Sequence, residues 1–399
     1  MRVSNDTLRS AFLAALDDAR RRVLDTQEKV STGLRVNAPS DDPVAAARIA
    51  HLDASLARIE QYEANAIFAR NQLGLEEEAL NDVIDNLQRI RELVLQANNS
   101  TASTADRQII AAEIRQHRDA LLALANTTDV DGRHLFGGYR EAAAPFTTNA
   151  SGDVVYGGDQ GQRTLQISDS RFVAVNDSGA DVFERIPEGN GTFVLDVSAT
   201  NTGSGMLGLG TVANPAAWVA DTYTIQFLTP TTYEVRNSAN ALIAAGAFTP
   251  PSQTLAFVGA EVGIDGSPAA GDTFTVRPSA QRNVFSTLDR LIAAVDTPVD
   301  DAADRARVHG TIGQRLADLD GAVAHMINAR GDVGARVRAL DQQETLNADF
   351  AVHLRSTLSA VRDLDYAEAL SRLSQELFGL DAAQQAFARA QNLSLFRFL

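Results

Sequence analysis

Two long stretches of the chain repeat apolar residues in steps of three and four, and a β-patterned stretch lies between them. In the first, Ile49, Leu52, Leu56, Ile59, Ala66, Leu73, Leu80, Ile84, Leu87 and Val94 recur at those steps or their sums. This is the seam of a helix that packs along one narrow face. Glu63, Arg70, Glu77 and Arg91 interrupt the seam, and drift between 3.6 and 3.5 residues per turn is expected to bring Ile67 onto the face. Such a helix would be about 70 Å long at 1.5 Å per residue. A compact globule of this chain length would be only about 55 Å across, so an elongated rod is expected.

Helix-start signals fit this division. Asp42 suits an N-cap and Pro43 the first helical position. After Asn98-Asn99-Ser100-Thr101, Ser103 and Asp106 have capping-box spacing, and Ile110, Ile114, His117, Leu121 and Leu124 continue at seam spacing. Beyond the middle stretch, Val284, Leu288, Leu291 and Val295 predict a short helix ending near Thr297-Pro298. A second long seam then runs from Ile312 through Leu319, Val323, Met326, Val333, Val337, Leu340, Phe350, Leu354 and Val361 to Leu364. Leu370, Leu373, Leu377, Leu380 and Phe387 continue it nearly to the end.

The first 36 residues cannot stand alone. Leu13, Leu16, Val23 and Val30 lead their apolar stripe, and full burial of each gives about 1.5–3 kcal/mol. Ordering the backbone costs roughly 1–2 kcal/mol per residue. The segment must pair with another helix, and the stripe Leu370, Leu373, Leu377, Leu380 and Phe387 is the candidate within the chain. A two-helix coil is itself marginal, so these nine residues are the candidate subunit-packing positions, with order at the ends dependent on neighbouring subunits.

Residues 141–281 are rich in Gly, Thr, Val and Phe. The runs 192–197, 223–227, 232–235 and 273–276 are β-branched and aromatic, separated by Gly, Asn, Asp and Pro, which predicts an all-β insertion built as a small sandwich or barrel. The expected domains are 1–40 with 358–399, a terminal coiled coil; 41–140 with 282–357, a long-helix bundle; and 141–281, an outer β-rich domain. Gly203-Ser204-Gly205-Met206-Leu207-Gly208 matches a dinucleotide-binding fingerprint, but Leu209-Gly210-Thr211-Val212-Ala213-Asn214-Pro215 cannot open the helix that the motif requires.

Composition narrows the chemistry. A net charge of −16, with the middle stretch strongly acidic, argues against gripping phosphate backbones. With no cysteine, the chain holds no disulfide, thiolate metal site or thiol nucleophile. His51, His117, His134, His309, His325 and His353 show no metal-ligand spacing, no GxSxG is present, and Asp41-Asp42 suit a helix cap better than an acid pair. No catalytic, cofactor or metal site is expected. The first residues lack a secretory signal pattern and no run is long enough to span a membrane, so the expectation is a cytoplasmic chain or one exported without a cleavable signal.

Thr32-Gly33-Leu34-Arg35-Val36-Asn37-Ala38-Pro39-Ser40-Asp41-Asp42-Pro43 closely resembles the N-terminal stretch of the bacterial flagellin superfamily, in the form its hook-filament junction proteins carry. Asp131-Gly132-Arg133-His134-Leu135-Phe136-Gly137-Gly138-Tyr139 resembles the motif closing the family's N-terminal helical region. Asn201-Thr202-Gly203-Ser204-Gly205 is similar to a turn of its β domain, and Ala329-Arg330-Gly331-Asp332-Val333-Gly334-Ala335-Arg336 to its returning helix. Asp365-Tyr366-Ala367-Glu368-Ala369 and Leu393-Ser394-Leu395-Phe396-Arg397-Phe398-Leu399 resemble the junction-protein ending.

The resemblance implies a mainly α, flagellin-like rod with an inserted all-β domain and its N- and C-terminal helices paired as a coiled coil. It implies an extracellular structural subunit without cofactor, exported unfolded through the flagellar type III apparatus with help from a cytoplasmic chaperone. The subunit would form a homo-oligomeric ring between the first hook-associated protein and flagellin, with no nucleic-acid partner and no membrane insertion. Filament flagellin, and an exported surface-binding protein with an aromatic patch around Trp218, are the alternative readings.

Overall fold

The computed structural model describes residues 5–99, 101–299 and 302–392; the Leu393–Leu399 motif lies outside the described residues. Six α-helices are present among them: α1 (Asn5–Thr32), α2 (Pro43–Ala97), α3 (Thr104–Ala125), α4 (Val284–Asp296), α5 (Ala302–Arg362) and α6 (Tyr366–Asn392). The chain divides into two compact units, Met1–Ala64 with Gln342–Leu399, and Asn65–Asp341.

Local chemistry sets the helix limits as expected. The Ala45 amide donates to Asp42 Oδ1 at 2.9 Å over Pro43, the first residue of α2. Ser103 and Asp106 form the reciprocal capping box of α3. Asn283 caps α4 by accepting from the Ser286 amide at 2.6 Å. The C-terminal seam is not continuous, however, because α5 ends at Arg362 and α6 begins at Tyr366.

In the Asn65–Asp341 unit, Ala66, Ala69, Leu73, Leu80, Val83, Leu87, Ile90 and Val94 of α2 are buried with Ile110, Ile114 and Leu121 of α3, Leu288 and Leu291 of α4, and Ile312, Leu319, Met326 and Val333 of α5. Ile67 does not join this face and is exposed; the small Ala66 and Ala69 carry the face instead. Arg70 and Arg91, which interrupt the sequence seam, reach across to Asp341 and Asp320 of α5, each at 2.6 Å. Charge at a seam position here serves helix pairing at the edge of the core.

Two hydrophobic cores share the β-rich stretch. Short antiparallel pairs, β1 (Phe146–Thr148) with β2 (Val154–Tyr156) and β3 (Thr164–Gln166) with β4 (Phe172–Ala174), sit with a π-helical turn at Ala180–Glu184. Their buried residues Phe146, Val154, Ile167, Val173 and Phe183 belong to the helical core. After β5 (Ile186–Pro187) come β6 (Phe193–Val197), β7 (Met206–Val212), β8 (Tyr223–Thr229), β9 (Thr232–Arg236), β10 (Leu242–Ala247), β11 (Ser252–Phe257), β12 (Ala260–Asp265) and β13 (Thr273–Pro278). The last strand, β14 (Gln281–Arg282), returns to pair with β5.

These strands make two antiparallel sheets, ordered β10-β9-β8-β13-β6 and β11-β12-β7, closed on a core of their own. The β8 pattern is period two, with Tyr223, Ile225 and Phe227 buried and Thr224 and Gln226 facing outward. Of the two architectures the pattern allowed, the sandwich is the one formed. Trp218 is half-buried against Phe193 and Tyr223, with ring centroids 5.2 and 5.7 Å apart, so it forms no exposed aromatic patch.

Candidate assembly surface

Pairing of α1 with α6 builds the surface of interest. Along α1, Leu16, Ala19, Val23, Thr26 and Val30 form a buried or half-buried row in strict alternation of three and four, with the half-buried Lys29 beside it. Along α6 the matching row is Ala369, Leu373, Glu376, Leu380, Ala383 and Phe387. Phe12 extends the α1 row, its ring centroid 6.4 Å from that of Phe387. Spacing of this kind keeps one face of each helix toward the other.

One polar pair interrupts the apolar rows. Thr26 Oγ1 donates to Glu376 Oε2 at 2.7 Å, with Thr26 almost wholly buried. A buried hydrogen bond in a narrow seam adds little net stability, but any slip of register leaves both groups unpaired. Sequence reading missed both residues because it followed apolar spacing alone; positions 26 and 376 fit the same period.

The nine candidate packing residues therefore divide. Leu16, Val23, Val30, Leu373, Leu380 and Phe387 lie on the facing rows, whereas Leu13, Leu370 and Leu377 lie one position off them and are exposed. Leu24 and Phe378 join the exposed set, Phe378 at 79% and Leu377 at 49%. Single apolar residues on a surface are ordinary, but Leu370, Leu377 and Phe378 form a stripe at positions 370, 377 and 378 of one helix.

A clasp closes the inner end of this pair. Leu34 and Asp363 form an isolated antiparallel bridge. The Arg35 amide donates to the Arg362 carbonyl at 2.7 Å, and the Leu364 amide to the Gly33 carbonyl at 2.9 Å. Arg35 Nη2 and Nε both reach the Val361 carbonyl, at 2.7 and 3.2 Å. That carbonyl belongs to the last turn of α5, whose final C=O groups have no partner in the helix. Gly33 has φ +72, a left-handed conformation that favours glycine, and a Cβ there would also displace the exposed Tyr366 hydroxyl, 2.7 Å away.

The Asp41-Asp42 pair is explained by backbone chemistry. Asp41 Oδ2 accepts from the amides of Ala38 and Asn37, both at 3.0 Å, which holds its carboxyl below the ordinary range. Asp42 is lowered by the Ala45 amide and by Arg35. Both stabilise the bend before α2 in the ionised form. Elsewhere, Gly203-Ser204-Gly205 is a turn held by Asp272, which accepts from the Thr202 and Gly203 amides, and it leads into β7 rather than a helix. Among the described residues no group of His, Asp and Glu is arranged to hold a metal ion, and no helix is long and apolar enough to cross a membrane.

Comparison with known proteins agrees with the motifs. Residues 3–141 match the bacterial flagellin N-terminal helical region and residues 316–399 the C-terminal helical region. The crystal structure of Xanthomonas campestris FlgL is 36% identical, covers 77% of this chain and 99% of its own, and superposes with a TM-score of 0.71. Flagellar hook-associated protein 3 of Legionella pneumophila is 33% identical over 78% of this chain and 98% of its own, with a TM-score of 0.75. Flagellar hook-associated protein 3 of Salmonella typhimurium is 25% identical over 100% of this chain and 99% of its own. Flagellin-type helical regions at both ends, a β-rich part between them and end-to-end similarity to these relatives place the chain in the flagellar hook-associated protein 3 family of the flagellin superfamily.

Proposed function

We propose that the chain is a non-catalytic structural subunit of the bacterial flagellum that forms the junction layer between hook and filament. The observation that carries this reading is the divided apolar pattern of α1 and α6. One row of each helix is used within the chain, and Leu13, Leu24, Leu370, Leu377 and Phe378 are left outside it. Neighbouring copies, the first hook-associated protein on one side and flagellin on the other, are the occupants of that outer stripe.

In the assembled wall the terminal helices (1–40 with 358–399) form the inner layer, the long helices (41–140 with 282–357) the next, and the acidic β-rich part (141–281) meets the medium. The subunit reaches this extracellular place through the flagellar type III export apparatus, its C-terminal region shielded by a cytoplasmic chaperone. Cells lacking the gene should secrete flagellin without assembling it. A chain lacking residues 358–399 should keep a folded, soluble core yet fail to restore filaments; normal filaments on such cells would overturn the reading.

A further inference from the structure

We propose that the β6–β13 sandwich is a separately folded module fastened to the helices by a charge network, and that acid releases it from them while it stays folded. Three observations carry this. First, the sandwich has its own closed hydrophobic core, distinct from the helical one. Second, the seam between sandwich and helix is incomplete: a cleft of about 300 Å³, open to solvent on one side, lies between β6, β7 and α5 and is lined by Phe193, Leu195, Gly208, Gly210, Gln314 and Ala317. Side chains that line an open cleft lack packing partners on that side, so the seam gains less from contact than a closed interface would.

Third, charged groups bridge the same seam. Asp196 on β6 accepts from Arg277 Nε of β13 and from Arg315 Nη2 of α5, each at 2.9 Å. Arg315 also pairs with Asp318 at 2.8 Å, and Asp318 Oδ1 accepts from the Gly189 amide at 2.8 Å. Glu188, 3% exposed, takes Arg277 at 2.7 Å, Arg282 of β14, and Arg290 of α4 at 3.4 Å. Four guanidiniums from β13, β14, α4 and α5 thus face three carboxylates.

Protonating the carboxylates leaves those guanidiniums together without counter-charge, in a seam with little packing to resist them. Burial works to raise the Glu188 carboxyl, but Arg277 and Arg282 outweigh it and hold it low. Asp196 is held low against burial by Arg277 and Arg315. A carboxyl lowered in the docked state supports docking above its ordinary range and gives up that support as pH falls through the lowered value. The release therefore lies on the acid side of the ordinary carboxylate range.

The test uses the full chain, which has no cysteine of its own, so spin labels at Ala239→Cys on the sandwich and Ala324→Cys on α5 are unique. Trp218, the only tryptophan, reports sandwich folding. On acidification the interspin distance should broaden at a higher pH than that at which native Trp218 emission is lost. Arg315→Met should broaden it already at neutral pH with emission unchanged. Simultaneous loss of distance and emission, or a narrow distance in the Arg315→Met protein, would overturn the proposal.

Discussion

The terminal helix pair and the Asn65–Asp341 unit use similar sequence patterns to different ends. In the larger unit, Leu73, Leu80, Leu87, Ile114, Leu291 and Leu319 have no measurable exposure. In α1 and α6 the most buried positions are the small or short Ala19, Val23, Thr26 and Ala369, each still slightly exposed, and large apolar side chains stay half-covered or exposed. One region is finished by its own chain. The other has just enough seam to fix a partner helix and a register, and leaves the rest of its apolar surface uncovered by its own chain, which is the surface proposed above to meet a neighbouring molecule.

Substitutions should separate the two regions, and the largest effect belongs to the finished one. Leu87→Ala opens a cavity beneath α2 and should cost about 2–5 kcal/mol by denaturant unfolding, whereas Leu377→Ala should change the isolated chain by no more than about 0.5 kcal/mol. Comparable losses would erase the distinction. Gly33→Ala forces a side chain into left-handed backbone against Tyr366 and should cost about 1–2 kcal/mol, seen as faster hydrogen exchange at residues 33–37 and 363–366.

Within the seam, Thr26→Ala leaves Glu376 without its partner and should cost on the order of 1 kcal/mol, while Thr26→Val with Glu376→Leu should recover most of it. A double-mutant cycle on helix unfolding checks this, and purely additive losses would remove the register role. The smallest effect is at Glu76, buried in the larger unit, where it accepts the Asp177 amide at 3.0 Å. Burial, with the Asp177 charge, pushes its carboxyl well up, so folding favours the protonated form and stability declines as pH rises above the ordinary glutamate value. Glu76→Gln should therefore raise the unfolding midpoint at neutral pH and much less near pH 4; an equal gain at both would contradict this.

Periodicity made the helices, their caps and the central strands legible. It failed where a choice between neighbouring faces depended on the partner helix. Ile67 and Ala66 differ by one position, and only the packing of the folded core decides that the smaller residue goes inside. The break at 363–365 was hidden because apolar spacing runs through it, while its cause is the pairing of Gly33-Leu34-Arg35 with residues more than 300 positions away. Composition marked a boundary at 141 without revealing that strands β1 to β4 share the helical core. At the candidate assembly surface Leu13, Leu370 and Leu377 are legible in the sequence, but Leu24 and Phe378 are not, the division into inner row and outer stripe needs the α1–α6 geometry, and apolar spacing alone passes over the polar Thr26 and Glu376.

The most direct measurement is complementation of a junction-deficient strain with Leu377→Asp/Phe378→Asp, scoring secreted subunit and attached filaments together. An outward stripe reserved for neighbouring subunits predicts a folded, secreted protein, free flagellin in the medium and cells without filaments. Wild-type filament number with this protein incorporated would contradict the account.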